Sequence, residues 1–474
     1  MATVINTKIG ENRGRARIWL EGIKLQREGF EPGMRYDLEL RDSKVVLRAR
    51  DQGHFTISRR ERNGRVSPII DICSNELRRL FTGVQLLRVA IREGLIVIVA
   101  HHSQEQAQER VQRLATKLRE GKPLDVCSLF HGGGVLDKAL HAGLQAAGVQ
   151  SRVALAVEME QSYLDASLAN NPELWSASSV VCDSPIQAVD PRREGVSSVD
   201  VLVGGIPCTG ASRPGKAKNK NEFTESHEDA GAMFFYFLQF VRDLNPAVVL
   251  IENVTEYANS ASMAVIRSVL GSLGYRVQER VMGGPEFGAL EWRRRLCVVA
   301  TSEGLEDAFD LQSVQGVPNP SQRVRDVLED IALDSDRWKP FDYLAEKEQR
   351  DRASGNNFAR KLLSGDETFC GTIGRGYSKC RSTEPFLVHP QRPELLRIFT
   401  PREHARVKGV PEEVVDGLPE SIAHQVLGQS VIFPVFKAVG LALGQSLTRW
   451  VKALHKQLSA CRVFEYEEPQ LTLL

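Results

Sequence analysis

Apolar residues between positions 123 and 302 occur in short runs, and polar, helix-favouring segments separate them. The runs are rich in Val and Ile and end in Gly, Pro, Asp or Asn, which is typical of buried strands. The six runs are LDVCSLF, VALAVEM, SVVCD, VDVLVGG, AVVLIEN and RLCVVAT. Apolar strands that alternate with amphipathic helices predict an α/β domain with a doubly wound, mostly parallel sheet over residues 123–302.

Residues 1–102 follow a different pattern, in which strands are short and turns are frequent. The segment YDLEL alternates with period two after a Pro-Gly turn, and a similar order of a polar segment, a glycine and two strands returns about fifty residues later at IDICSNELRRLFTGVQLLRVAIREGLIVIVAH. We therefore expect a small β-rich domain that contains a duplicated unit. Residues 103–122 predict a helical linker, because apolar positions there recur at helical spacing.

The composition, 42% hydrophobic and 26% charged over 474 residues, is that of an ordinary globular protein. Eight scattered cysteines without a CxxC pair are typical of reduced cytosolic proteins and predict no metal site. No run approaches the roughly 18 apolar residues of a membrane span, so we expect a soluble, cytoplasmic protein without a membrane partner. The net charge is only +1, but residues 1–120 hold about 23 Lys and Arg against about 15 Asp and Glu, an excess that favours nucleic-acid contact.

Three predicted strands end in residues suited to a nucleoside-like cofactor. The first runs into the turn FHGGG, whose glycines would let a cofactor approach the backbone and the next helix N-terminus. The second ends at Glu158, an acid suited to ribose hydroxyls, and the third ends at Asp183, which can accept a hydrogen bond from an exocyclic amine. Together they predict an adenosine pocket; a plain tight turn and, for the acids, helix N-caps or solvated loop residues are the alternatives. His131, inside the turn, is expected to be a partly exposed loop histidine.

The fourth strand ends in GGIPCTGAS, which delivers Cys208 to the same sheet edge. A cysteine there is a candidate nucleophile as well as a candidate buried thiol. The next strand ends at Glu252 and Asn253, so Cys208 and Glu252 would face one crevice. A thiolate that adds to C6 of cytosine, with a carboxyl that protonates N3, activates C5 to capture a methyl group from a sulfonium cofactor.

These motifs, in this order, resemble those of the DNA (cytosine-5) methyltransferases, which use S-adenosylmethionine. The resemblance covers residues 121–302 and 395–445 and includes three further motifs, EWRRRLCVVAT, LLRIFTPREHARVKGVP and VLGQSVIFPVFKAVGLAL. It implies the class I S-adenosylmethionine-dependent methyltransferase fold and double-stranded DNA as the partner, with the cytosine flipped out of the duplex. It makes Cys208 the nucleophile and Glu252 the group that holds N3, while Arg293 and Arg295 anchor the flipped base and its phosphate.

The resemblance also implies a set of cofactor contacts, in which Pro207 stiffens the loop that aims Cys208. The set is Phe130, Gly132, Gly134, Glu158, Met159, Asp183, Ser184, Pro207, Gln429, Ser430 and Val431. Four positions depart from the family pattern: Thr209 and Glu291 replace glutamine, Val135 replaces glycine, and Gln429 replaces asparagine. None of these changes removes a group that performs the chemistry.

Between the arginine strand and TPREHARVKG the family places its target-recognition domain, here the compact, irregular and polar residues 303–395, after which residues 396–474 complete the catalytic domain. Arg375, Lys379 and Arg381 are candidates for DNA contact or are solvated loop residues. The N-terminal segment RARIWLEGIKLQREGFEPGMRYDLELRDSKVVLRAR resembles the swapped-hairpin modules of SymE and AbrB type. That module would contact DNA, or it would be a stabilising or dimerising appendage through which the protein forms a homodimer.

Two other functions stay open from the sequence: a DNA-binding regulator whose methyltransferase-like domain is inactive, and a tRNA cytosine-5 methyltransferase. The presence of Cys208, Glu252, Arg293 and Arg295 argues against the first. The basic hairpin module and the separate recognition region favour DNA over RNA.

Overall fold

The computed structural model describes residues 2–41, 43–207, 231–305, 308–356 and 358–464. The chain divides into two compact units, Met1–Glu109 and Arg110–Leu474. No single helix in these ranges is long and apolar enough to cross a membrane, whereas one pair of helices, bent by 50°, passes that test together.

The N-terminal unit consists of short antiparallel strands in two sheets. Its elements are β1 (Ala2–Lys8), β2 (Gly10–Asn12), β3 (Arg15–Glu21), α1 (Ile23–Arg27), β4 (Arg35–Arg41), β5 (Lys44–Ala49), β6 (Phe55–Thr56), β7 (Ser58–Arg62), β8 (Arg65–Ser74), α2 (Asn75–Leu80), β9 (Leu86–Arg92) and β10 (Leu95–Ala100). One sheet has the order β1-β9-β10-β5-β4-β6 and the other β2-β3-β8-β7.

The order strand, short helix, hairpin occurs twice in this unit, as β3-α1-β4-β5 and as β8-α2-β9-β10. The two sets pair with each other, since Ile18 faces Ile72 across β3 and β8, and Val46 faces Val97 across β5 and β10. Alternate residues of these strands point into one apolar core. The two hairpins are therefore paired within a single chain.

The C-terminal unit is built on a seven-stranded sheet. The strands are β11 (Leu124–Leu129), β12 (Ser151–Glu158), β13 (Val180–Asp183), β14 (Val201–Gly205), β15 (Val248–Asn253), β16 (Tyr275–Gly283) and β17 (Arg294–Ser302), in the order β13-β12-β11-β14-β15-β17-β16. The strands from β13 to β15 are parallel, and β17 is antiparallel to both of its neighbours. The predicted α/β class with a mostly parallel sheet is confirmed.

Helices cover both faces of this sheet. The helices after residue 101 are α3 (His102–Glu120), α4 (Val135–Ala146), α5 (Gln161–Asn170), α6 (Met233–Leu244), α7 (Ala261–Ser272), α8 (Asp342–Ala353), α9 (Pro401–Val407), α10 (Glu420–Gln429) and α11 (Phe433–Phe464), of which α8 packs instead on Phe386 and Leu396. Alternate residues of a central strand enter two cores: Val201 and Val203 pack with α4 and α11, whereas Leu202 packs with α6 and α7. Burial on both faces explains the continuous apolar runs of the sequence.

The second half of α3 is bonded into the C-terminal unit. Arg110 is 1% exposed, and it donates to Ser302 Oγ (2.7 Å) and to the carbonyls of Leu273 (2.8 Å) and Gly274 (2.9 Å). From Arg110 onward the helix therefore belongs to that unit.

The sequence did not predict β16, which lies at the edge of the sheet. Its segment, YRVQERVMG, mixes charged and apolar residues because most of its side chains are only half-buried. The region that follows the sheet contains a small sheet of its own, formed by β18 (Lys339–Pro340), β19 (Lys361–Leu363), β20 (Pro385–Val388) and β21 (Leu395–Arg397), in the order β18-β21-β20-β19.

Candidate functional site

The carboxyl ends of the parallel strands bring the predicted site residues to one edge of the sheet. Glu158 and Asp183 are register neighbours at the ends of β12 and β13. Gly205 and Glu252 are register neighbours at the ends of β14 and β15. Ligands bind at this edge in open α/β sheets, so the sequence motifs converge where a site is expected.

The glycine turn after β11 is tightly packed. Phe130, Gly132 and Gly134 all have positive φ angles, of 56°, 59° and 74°. A Cβ atom on Gly134 would lie 2.4 Å from Ser167 Oγ, and one on Gly132 would lie 3.7 Å from Gln429 Nε2. The turn therefore requires glycine at position 134, and it brings the predicted C-terminal cofactor residue Gln429 against the predicted cofactor loop.

Backbone N–H groups of the glycine turn and of the segment that follows β12 donate to the Glu158 carboxylate. Its Oε2 accepts the N–H of Gly132 (2.7 Å), and its Oε1 accepts those of Met159 and Glu160 (both 2.9 Å). A carboxylate offers about four lone-pair directions, so one is left for a ligand. The Met159 side chain is 72% exposed beside it. Asp183 is also exposed, and the Ser184 N–H donates to the Glu158 carbonyl (2.9 Å).

The expectation of a partly exposed His131 is wrong, because this side chain is buried in the turn. Its Nδ1 lies 2.8 Å from Ser128 Oγ and its Nε2 lies 2.8 Å from Ser167 Oγ. With both ring nitrogens paired, burial leaves no unsatisfied polar atom and costs little. The buried His131 therefore bridges Ser128 and Ser167, and its ring centroid lies 5.3 Å from that of Trp175.

Cys208 and Thr209 lie outside the described residues, but the turn that leads to them is held firmly. Asn253 is 2% exposed; its Nδ2 donates to the Ile206 carbonyl and its Oδ1 accepts the Val254 N–H, both at 2.9 Å. Pro207 is half-buried directly after that carbonyl. Sequence reasoning did not give Asn253 a role, although a polar residue directly after Glu252 at the end of an apolar strand was the available signal.

Glu252 and Arg295 form an ion pair beside this turn. Arg295 Nε lies 3.0 Å from Glu252 Oε1, and the two side chains are 19% and 13% exposed. The other carboxylate oxygen, Oε2, would lie 3.5 Å from a Cβ atom on Gly205. A carboxylate is thus oriented by a cation next to the strand that carries Cys208.

Arg293 is buried and bridges two distant segments. Its Nη1 donates to the carbonyls of Ile373 (3.2 Å) and Gly428 (3.1 Å). Burial lowers the pKa of Arg293 to about 10. Its Nε is buried and has no hydrogen-bond partner within the described ranges.

Glu291 and Lys408 form a fully buried ion pair next to Arg293. Lys408 Nζ lies 2.7 Å from Glu291 Oε2, and both side chains are 0% exposed. Glu291 Oε1 accepts the Ile373 N–H (3.0 Å). Burial favours the neutral forms, and it lowers the pKa of Lys408 to about 7. For Glu291 the charges of Lys408 and Arg293, with the hydrogen bonds from Lys408 and Ile373, together outweigh burial, so its pKa lies below the usual range. Sequence reasoning noted Glu291 only as a departure from glutamine and missed Lys408, a lysine within the apolar stretch ARVKGV.

The turn from Gly428 to Val431 lies where the recognition region meets the sheet edge. A Cβ atom on Gly428 would lie 2.3 Å from the Gly374 carbonyl oxygen, so only glycine permits this approach. Ser430 Oγ donates to the Leu427 carbonyl (2.8 Å), and Val431 is buried. The turn thus contacts the recognition region on one side, while the adjoining Gln429 reaches the glycine turn.

The three candidate DNA-binding residues, Arg375, Lys379 and Arg381, are all exposed. Arg375 is not directed only at solvent, because its Nη2 lies 3.2 Å from Glu160 Oε2 and its guanidinium lies 5.4 Å from the centroid of the Tyr163 ring. Arg375 therefore contacts the segment that directly follows Glu158.

Comparison with known proteins places this site in a family. The family described as C-5 cytosine-specific DNA methylase matches residues 124–445. The chain is 28% identical over 255 residues to the type II methyltransferase M1.ScrFI of Lactococcus lactis subsp. cremoris, covering 51% of this chain and 61% of that protein. It is 27% identical over 371 residues to M.Eco47II of Escherichia coli, covering 70% and 80%. The chain thus spans about three fifths of the first relative and most of the second.

Solved structures of the same kind share the fold. The S. pombe Dnmt2 methyltransferase has a TM-score of 0.54 and 19% identity, covering 70% of this chain and 99% of that one. The Entamoeba histolytica methyltransferase EhMeth has a TM-score of 0.52 and 16% identity, covering 68% and 98%.

Proposed function

Because the chain belongs to the C-5 cytosine-specific DNA methylase family, we propose that it is a DNA (cytosine-5) methyltransferase that uses S-adenosylmethionine. One observation carries the proposal: the Glu158 and Asp183 pair, the Glu252–Arg295 ion pair and the turn that leads to Cys208 converge on one sheet edge. The first pair suits an adenosine, and the second suits a cytosine ring.

The residues present fit S-adenosylmethionine, which supplies an electrophilic methyl group when bound. Glu158 has one lone-pair direction left for a ribose hydroxyl. Asp183 would accept from the exocyclic amine of adenine, and the exposed Met159 side chain would contact the ring. The remaining proposed contacts follow the same edge, from the glycine turn to the C-terminal turn: Phe130, Gly132, Gly134, Ser184, Pro207, Gln429, Ser430 and Val431.

The proposed reaction begins when the Cys208 thiolate adds to C6 of a flipped cytosine, while Glu252 holds N3 and supplies a proton there. C5, now nucleophilic, would accept the methyl group that bound S-adenosylmethionine supplies. Loss of the C5 proton to water, return of the N3 proton to Glu252 and departure of the thiolate from C6 then restore the aromatic ring and free both Glu252 and Cys208. Arg295 orients Glu252 for the first step, and Arg293 is the proposed anchor of the flipped base and its phosphate.

We further propose that residues 303–395 read the target sequence, with Arg375, Lys379 and Arg381 on the DNA. A methyl-transfer assay tests the function: the chain is incubated with labelled S-adenosylmethionine and either duplex DNA or tRNA, and bisulfite sequencing locates 5-methylcytosine. We expect label in duplex DNA at one recurrent sequence. Label in tRNA alone, or in neither substrate, would overturn the proposal.

The basic N-terminal unit is proposed to contact the DNA backbone as a SymE/AbrB-like module that acts without a second chain, because its hairpins already pair in cis. Removing residues 1–109 keeps Arg110 and its buried hydrogen bonds in place. Each lost phosphate contact should flatten the plot of log affinity against log salt by about 0.9. An unchanged slope in the truncated protein would show that the unit is a stabilising appendage instead.

A further inference from the structure

Trp292 and Phe369 form an exposed aromatic pair next to the proposed active site. The two side chains are 50% and 48% exposed, and their ring centroids lie 5.2 Å apart at an interplanar angle of 54°. The indole N–H of Trp292 has no hydrogen-bond partner among the described residues. We call Trp292 and Phe369 the aromatic ledge.

The backbone holds the ledge in its outward position. Glu291 and Cys370 form a parallel β-bridge, in which the Cys370 N–H donates to the Leu290 carbonyl (2.8 Å) and the Trp292 N–H donates to the Cys370 carbonyl (3.0 Å). Thr372 Oγ1 adds a bond to the Trp292 carbonyl (2.6 Å). The Arg293 N–H donates to the Glu291 carbonyl (2.8 Å), so the backbone makes a tight turn at Trp292, which is exposed with Phe369 while Glu291 and Cys370 are buried.

Two exposed cations accompany the ledge. Arg294 follows Trp292 by two residues, at the start of β17. Lys361 extends over Gly371, two residues after Phe369, where a Cβ atom would lie 3.1 Å from Nζ. Two large exposed rings with cations nearby suit the bases and phosphates of a nucleic acid strand.

The position of the ledge along the chain fixes which nucleotides it can reach. Arg295, the partner of Glu252, lies three residues beyond Trp292, which is about 10 Å along an extended strand. Bases on one strand are spaced by about 3.4 Å, so the ledge lies within two or three nucleotides of the cytosine pocket.

We propose that the aromatic ledge stacks on bases next to the flipped cytosine, with Arg294 and Lys361 on the adjoining phosphates. The inference rests on the proposed function and adds a contact surface to it. Flipping a base exposes the faces of its neighbours to water, and an aromatic side chain that covers such a face recovers stacking.

The test compares Trp292→Ala, Trp292→Phe and Phe369→Ala with the parent in binding to a fluorescein-labelled duplex taken from a methylated locus. We expect Trp292→Ala to weaken binding about tenfold and Trp292→Phe to stay within about twofold, since stacking needs only a ring. The duplex affinity of Phe369→Ala should lie between those of the two Trp292 variants. S-adenosylhomocysteine affinity and melting temperature should be unchanged in all three, because the replaced rings are half exposed and the backbone bonds remain.

A matched control is Phe235→Ala in α6, because Phe235 is 53% exposed and its ring centroid lies 5.5 Å from that of Tyr236. Equal losses in Phe235→Ala and Trp292→Ala would overturn the proposal, as would unchanged duplex affinity in Trp292→Ala. A change in sedimentation of Trp292→Ala at unchanged duplex affinity would assign the ledge to protein contact and also overturn it. Failure of the proposed function is a separate result: the parent would bind the duplex without transferring a methyl group.

Discussion

The two halves of the sheet edge are assembled in different ways. The Glu158 carboxylate accepts from residues that are close in the chain, of which Gly132, 26 residues away, is the farthest. Around β14 to β17 the hydrogen bonds join distant segments: Glu291 and Lys408 are 117 residues apart, and Arg293 and Gly428 are 135 residues apart. Glu158 is thus held by backbone donors, and the second half by buried charges.

This difference predicts how each half responds to mutation. A buried charge that loses its counter-charge is strongly destabilising, whereas Glu158, 9% exposed, is held by neutral backbone N–H groups that an amide oxygen can still accept from. Substitutions at the Glu291–Lys408 pair should therefore reduce stability, and substitutions at Glu158 should reduce cofactor affinity in a protein that stays folded.

The largest expected effect belongs to Lys408→Met, which removes the cation 2.7 Å from Glu291 Oε2 and leaves Arg293, 3.5 Å from Oε1, as the remaining counter-charge. We expect a loss of about 3–5 kcal/mol in the free energy of unfolding, measured by urea denaturation. The double variant Glu291→Gln/Lys408→Met removes both charges and should recover most of that loss. A double variant as unstable as the single one would show that packing, rather than charge, holds this half together.

Glu252→Gln should reduce the rate of methyl transfer about a hundredfold, because an amide can bond to the ring but cannot protonate it. The measurement is kcat with labelled S-adenosylmethionine at saturating duplex, with melting temperature as the control for folding. A rate within about twofold of the parent, which corresponds to a change of under roughly 0.4 kcal/mol in the activation free energy, would rule out the proposed acid role.

Glu158→Gln tests the other half of the edge. The amide keeps one acceptor oxygen but loses the second, which now serves backbone N–H groups or the proposed ribose hydroxyl. We expect about a tenfold weaker affinity for S-adenosylhomocysteine by calorimetry, with the rate restored at saturating cofactor. A large fall in the free energy of unfolding of Glu158→Gln would contradict the contrast, because it would show that both halves of the sheet edge depend on a buried carboxylate for stability.

A pH dependence of stability should come from Lys408, whose pKa burial lowers from 10.5 to about 7. Between these pH values the unfolded chain keeps the proton and the folded protein releases it, so stability should rise with pH by up to about 1.4 kcal/mol per pH unit. Unfolding curves from pH 7 to 10 should show this rise in the parent and lack it in Lys408→Met. If the unfolding free energies of the parent and of Lys408→Met changed with pH in the same way, the titrating group would be one other than Lys408.

The contrast between the two halves also explains what could be predicted from the sequence. Glu158, Asp183 and Glu252 could be predicted because each ends an apolar run, and parallel strands align such ends at one edge. Lys408 could not, because its partner lies 117 residues away and nothing in local periodicity connects them.

The sequence predicted the wrong exposure for His131 and did not predict β16, in both cases for local reasons. A histidine in a glycine-rich turn reads as a surface residue unless the hydroxyls of Ser128 and Ser167 are known to meet its two nitrogens. An edge strand such as β16 carries charged residues on half-buried positions, and this weakens the apolar signal by which the other strands were recognised.

Covalent trapping tests the central claim most directly. The full chain is incubated with S-adenosylmethionine and a duplex in which the target cytosine is replaced by 5-fluorocytosine, whose fluorine prevents release of the thiolate from C6. We predict a stable protein–DNA adduct for the parent and none for Cys208→Ser, which should still bind S-adenosylhomocysteine through the unchanged Glu158 and Asp183 edge. An adduct that forms with Cys208→Ser, or a parent that methylates duplex DNA without being trapped, would contradict the account.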